Sequence, residues 1–203
     1  ADSCAGGCAA DVTHARTSID CHMPLILIAA PATEPVTSAE VKTSARIDGT
    51  EFDTQIAIII PAIRAAAEQE LGRRLITQTV EMVLDEFPTN EIDLTLPDAK
   101  SITSVKYLDD SGVEQTLSGA VYSLDDDSTP SRVLLKYGQT WPSTQDVPNA
   151  VRVRFVVGYG DAAAVPSNVK LWIIAQCCAA LDNHAPLPWI DRLLDAERVH
   201  TCG

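Results

Sequence analysis

The spacing of hydrophobic positions changes twice along this chain, from helical to alternating and back to helical. Residues 24–33 read as extended, interrupted by Pro24 and Pro31. Thr37 and Glu40 then sit three apart. That is the spacing of a capping box, in which the hydroxyl takes an orphan backbone N–H and the glutamate reaches back. Val36 is placed to staple onto Val41 across the cap. Val41, Ala45 and Ile47 give this short helix a narrow apolar stripe, and Asp48-Gly49 ends it. A second helix is predicted over Asp53–Leu71, with Asp53 or Thr54 as its cap. Phe52, Ile56, Ile59, Ile63 and Ala67 mark one face. Ile58, Ile60 and Ala62 lie off it, so 56–63 has no polar side. Pro61 removes a backbone donor and predicts a kink.

From Leu75 the period becomes two. Val80, Met82 and Leu84 alternate with Thr79, Glu81, Val83 and Asp85, mostly a strand pattern. Further short strands are predicted at 91–96, 101–109, 113–117, 120–124, 131–136 and 150–158. Asp109-Asp110-Ser111-Gly112 carries hairpin-turn chemistry. Val151, Val153, Phe155 and Val157 against Arg152 and Arg154 form the clearest alternation, closed by Gly158 and Gly160. Helical spacing then returns. Pro166 suits a first turn, and 169–181 holds a single polar residue, Gln176, after Lys170. A last short helix is predicted over 188–198, carrying Trp189, Ile190, Leu193 and Leu194. The fold class is α+β. A small bundle of four helices carries an inserted antiparallel β module, sandwich-like or barrel-like. The predicted division is a flexible tail at 1–22, a discontinuous helical domain at 23–75 and 161–203, and an inserted β domain at 76–160. Each helical half alone is too small to bury its own apolar faces.

A helix apolar on every side must be buried on every side. Two covers are open for 56–63 and 171–181: the chain's own β module, or neighbouring copies of the chain. The second makes Ile56, Ile58, Ile59, Ile60, Ile63, Leu171, Ile174 and Leu181 candidate interface residues of a homo-oligomer.

Composition narrows the chemistry. Apolar residues are 46% of the chain, enough for a substantial core, and the net charge is −13. A surface of that sign repels polyanions and argues against binding nucleic acid by phosphate neutralisation. No run reaches the roughly 18 apolar residues of a membrane span, so no membrane partner is expected. Residues 23–32, MPLILIAAPA, imitate a signal-peptide core, but Asp20 precedes them and Arg16 is the one clear cation nearby. Met23 would make a natural start, with 1–22 as an extension.

Cys4, Cys8 and Cys21 lie in the tail, and Cys177, Cys178 and Cys202 near the other end. This spacing suggests neither a disulfide framework nor, with His14 and His22, a zinc site. Adjacent Cys177 and Cys178 diverge on a helix and do not bond to each other. No phosphate-binding glycine loop and no nucleophile elbow occurs. His184 reads as a helix-end residue. No catalytic residue, metal or cofactor is assigned. Asp125, Asp126 and Asp127 read as a solvated turn, with a metal-dependent hydrolase as the rival. Tyr137, Trp141 and Tyr159 offer the alternative of a glycan- or protein-binding platform on the β module.

The segments EPVTSAEVKTSARID (34–48) and FDTQIAIIIPAIRAAAEQELGRRLITQTVEMVLDEFP (52–88) resemble the opening of the head–tail connector proteins of tailed bacteriophages. These are also called adaptor or head-completion proteins, and the likeness is to the longer form with a β insertion. SITSVKYLDDSGVEQTL, YGQTWPS, PNAVRVRFVVGYG and VPSNVKLWIIAQCCAAL follow in the order that form leads one to expect. The resemblance spans residues 23–195 and leaves out the tail.

It implies a structural virion protein without catalytic residues. Such proteins form a ring of about a dozen copies under the portal, close the DNA-filled head and dock the neck or tail-completion protein. Genomic DNA crosses the channel without sequence-specific binding. The implied place is the head–tail interface of the virion, after assembly in the host cytoplasm. Chain ends reach toward the portal, which makes Trp189, Ile190, Leu193 and Leu194 candidate portal contacts.

Overall fold

The computed structural model describes residues 25–182, 184 and 187–199. Strand β1 (Leu25–Ala29) comes first, then helices α1 (Ser38–Ala45) and α2 (Asp53–Leu71). Seven strands follow: β2 (Gln78–Leu84), β3 (Ile92–Asp93), β4 (Ala99–Leu108), β5 (Glu114–Thr116), β6 (Tyr122–Asp125), β7 (Arg132–Leu135) and β8 (Val151–Val157). Helix α3 (Ser167–Asp182) and a 3-10 helix (Ile190–Leu194) end the described chain.

Local signals place the helices. The Thr37 side chain accepts from the Glu40 N–H, and the Glu40 carboxylate accepts from the Thr37 N–H at 2.6 Å, so the capping box is complete. α1 ends earlier than predicted, at Arg46 in the left-handed conformation. α2 starts at Phe52 with no side-chain cap and stops at left-handed Gly72.

The expected four-helix bundle is not formed. Three α-helices are present among the described residues, and 188–198 yields only the five-residue 3-10 helix. At the start of that stretch Pro188 holds Leu187 out of the helical region. The segment closes i→i+3 bonds in place of the α-helical ladder, from the Ile190 N–H to the Leu187 carbonyl at 3.0 Å and from the Arg192 N–H to the Trp189 carbonyl at 3.2 Å. Its apolar residues are still used, with Ile190 and Leu194 buried.

Two antiparallel sheets make up the β part. The larger has the order β1-β2-β8-β4-β5 and the smaller β3-β7-β6. β8 is central because its alternation satisfies two neighbours at once. Phe155 stands opposite Val80 and Ile102, and Val153 opposite Met82 and Val105. Val151, Val153, Phe155 and Val157 are all fully buried. They share one apolar cluster with Ile92, Leu94 and Val133 around the smaller sheet. The segment 25–29, assigned by sequence to the helical part, is instead the edge strand beside β2.

A second cluster lies among the helices. Val41 from α1, Ile56, Ile60, Ala67 and Leu71 from α2, and Val169, Trp172, Ile173 and Cys177 from α3 pack with Ile190 and Leu194. Burying each large aliphatic side chain here is worth roughly 1.5–3 kcal/mol. Polar contacts tie helices to sheet. Arg73 lies 3.5 Å from Asp98, just before β4, and donates at 2.6 Å to Tyr159, just after β8.

Candidate interaction surface

The candidate interface residues on the helices divide by helical geometry. Ile56 and Ile60 are one turn apart on the inner side of α2 and are enclosed by the chain's own helical cluster. They are not surface groups. Ile59 and Ile63 flank them, half-buried. Ile58 points away and is 68% exposed. Around it the outer face of α2 carries Ala57, Ala62, Ala65 and Ala66, all exposed. On α3, Trp172, Ile173 and Cys177 turn inward, Leu171 is 47% exposed, and Ile174 and Leu181 are half-buried. The β module therefore does not cover the outer faces of these helices, and a band of apolar surface remains. The apolar run in the sequence leaves open whether the β module or another copy covers it, and of the alanines only Ala62 stands out there, because alanine marks neither core nor surface.

A second apolar region lies on the larger sheet. Ile26, Leu27 and Ile28 of β1 are all exposed, on the edge of the larger sheet. Beside it the outward face of that sheet is charged. Ile26 stands opposite Glu81, and Glu81 opposite Arg154. The Glu81 carboxylate accepts from Arg154 at 2.8 Å and from Arg152 at 3.1 Å. Burial alone would raise the Glu81 pKa; the hydrogen bonds and charges of Arg154 and Arg152 outweigh it and hold the carboxyl below its ordinary value. Lys106 and Glu114 continue the face, paired at 2.7 Å. A shallow recess of about 300 Å³ lies over these groups. The alternation in β8 disclosed both arginines, but their shared partner on β2 became visible only with the strand order.

The remaining candidates are scattered. Of the proposed portal contacts, Trp189 is 52% exposed and Leu193 half-buried, while Ile190 and Leu194 are core residues. Asp125 accepts from Ser128 at 2.6 Å and faces Arg132 at 3.6 Å, while Asp126 and Asp127 are exposed. Among the described residues no group of three or more metal-ligand side chains is assembled.

The aromatic platform is not built. Trp141 stacks on Phe87 at 5.0 Å and donates to the Asn90 carbonyl, Tyr159 packs on the helical cluster under Arg73, and Tyr137 stands fully exposed. Cys177 and Cys178 are free thiols. Cys4, Cys8, His14, Cys21, His22 and Cys202 lie outside the described residues. No described helix is long and apolar enough to cross a membrane.

No protein-family model matches the sequence, and no curated protein does. Solved structures do match. A chain from the neck of an empty gene transfer agent particle, computed with C6 symmetry, superposes with a TM-score of 0.76 at 19% identity, over 89% of this chain and 98% of that one. A chain from the virion of the native gene transfer agent particle gives a TM-score of 0.73 at 20% identity, with the same coverage. A chain from the neck of the native particle, computed with C12 symmetry, gives 0.66 at 19% identity over 87% and 98%. At such identities the likeness is one of fold, and it agrees with the connector resemblance carried by the sequence. The chain has the fold of a protein from the neck of gene transfer agent particles.

Proposed function

We propose that this chain is a structural virion protein that assembles as a homo-oligomeric ring of about a dozen copies between portal and tail. In this reading it closes the DNA-filled head and presents the docking surface for a neck or tail-completion protein. It works by shape and assembly, not by catalysis. The observation that carries the reading is the near-complete superposition on chains of symmetric necks. The apolar outer band of α2 and α3 supports it. Ile58 and Leu171 remain partly in water in a single copy, and a neighbour that dries what is left gains roughly 1–2 kcal/mol for Ile58 and about 1 kcal/mol for Leu171. The alanines beside Ile58 allow another backbone to approach closely. A net charge of −13 suits a channel that DNA must cross without sticking. Trp189, exposed near the chain end, is the best placed of the portal candidates. Assembly takes place in the host cytoplasm and the product resides in the virion.

Sedimentation of the purified chain, alone and with portal protein, tests this. The expected result is a ring mass near twelve chains in at least one of the two conditions. Ile58→Lys is expected to weaken assembly about tenfold or more, with no loss of fold because the site is exposed. A chain that stays monomeric in both conditions at high concentration overturns the proposal.

A further inference from the structure

The two edges of the larger sheet are built differently. β5 is short and polar, three exposed residues whose Glu114 pairs with Lys106. That is a guarded edge. β1 is five residues, LILIA, without charge or proline. Ile26, Leu27 and Ile28 are 42%, 52% and 42% exposed. Among the described residues nothing pairs with its outer side. Its one protective device is a register irregularity between Leu27 and Ala29. A bare row of N–H and C=O groups beside apolar side chains is a template for another strand.

Charge narrows what can occupy it. Two copies of a −13 chain repel unless they meet where negative charge is absent. Residues 23–33 contain no charged side chain. On the outward sheet face behind β1, Glu81 of β2 is met by two cations of β8, Arg152 and Arg154. This margin is thus neutral at the strand and slightly basic behind it, on an otherwise acidic protein.

We propose that β1 is a subunit seam: its open edge, with Ile26 and Ile28, receives a strand edge of a second copy of this chain. The proposal rests on the ring reading above. A cyclic assembly needs two different surfaces on every copy; the β1 edge is one, and the strand edge that it receives is the other.

The test uses the full chain, with portal protein added if assembly requires it. A photoreactive benzoylphenylalanine replacing Ile26 is expected to link two copies of the chain on illumination. In the unsubstituted chain, amide exchange over 25–29 is expected to slow about tenfold or more on assembly. The double variant Ile26→Lys, Ile28→Lys is expected to raise the concentration for half-assembly about tenfold or more, with the thermal midpoint of the dilute chain unchanged. Three results overturn the seam: links to portal in place of a second copy, β1 amides already slow in the dilute monomer because its own preceding residues cover them, or rings in which those amides stay fast. The last leaves the ring itself standing. A chain that never assembles overturns both proposals.

Discussion

Glu68 is 3% exposed on a protein whose other carboxylates mostly face water. One of its oxygens accepts from the Leu75 N–H at 3.1 Å and from Gln78 Nε2 at 3.2 Å. The other faces Arg74 at 3.0 Å and Arg64 at 3.2 Å. A single side chain thereby fastens the end of α2 to the start of β2. Removing it leaves Arg74 and the buried Leu75 N–H without their acceptor, while Arg64 keeps Glu34 at 2.8 Å. Glu68→Ala is expected to cost about 3–5 kcal/mol in urea unfolding, and Glu68→Gln, which keeps an acceptor, about 1–3 kcal/mol. The sequence showed Glu68 only as a polar residue after an apolar run, because its partners lie beyond the helix end. Tyr159 likewise drew notice as an aromatic ring, yet its hydroxyl is the informative part. It donates to Glu197 at 2.7 Å and accepts from Arg73 at 2.6 Å. Burial first, and the Glu197 bond second, push its pKa up to about 12. Burial also pushes the Cys177 thiol up to about 12, which makes it a poor nucleophile.

At the scale of elements, legibility followed periodicity. β8 was readable because it is buried on one face between two partners, so strict alternation was enforced at every residue. α1 was readable through its cap. The last helix is not formed as expected, because four apolar residues at helical spacing also suit a short 3-10 turn against a core. β1 was recognised as extended but placed in the wrong part of the molecule, since a lone apolar run does not say which strand it pairs with. Glycine marked one junction truly. Gly158 has a φ of +115°, and a Cβ there would lie 2.5 Å from the Ile76 carbonyl oxygen. At this point the end of β8 crosses the entry to β2, where the Thr77 N–H donates to the Gly160 carbonyl at 2.8 Å. Gly158→Ala combines backbone strain with a backbone clash. It is expected to cost about 1–3 kcal/mol or more, read as a lowered thermal midpoint.

For the whole molecule, acid is the informative perturbation. Glu40 is held below its ordinary 4.5 first by the Thr37 backbone bond, and Glu81 below the same value once its two arginines outweigh burial. Asp109 and Asp125 are held below 3.8, first by bonds from Gln115 and Ser128 respectively. All four shifts are downward, so the unfolded chain takes up protons before the native one. The stability these groups add is complete above their ordinary values and is lost as pH falls through the lowered native ones. Urea midpoints from about pH 6 to about pH 3 are expected to hold and then decline; a midpoint that rises on acidification would contradict the sign. The order of strands has a practical sequel for dissecting this protein. Because β1 precedes α1 and α2 while its partner β2 follows them, those two helices are an excursion closed by a strand pair. A fragment begun at residue 76 would shed the sheet's outermost member. It would leave as a raw margin β2, whose Val80 and Met82 are otherwise wholly enclosed. Pruning the chain to its β half trades one sticky border for a worse one, so helices and sheet have to be studied together.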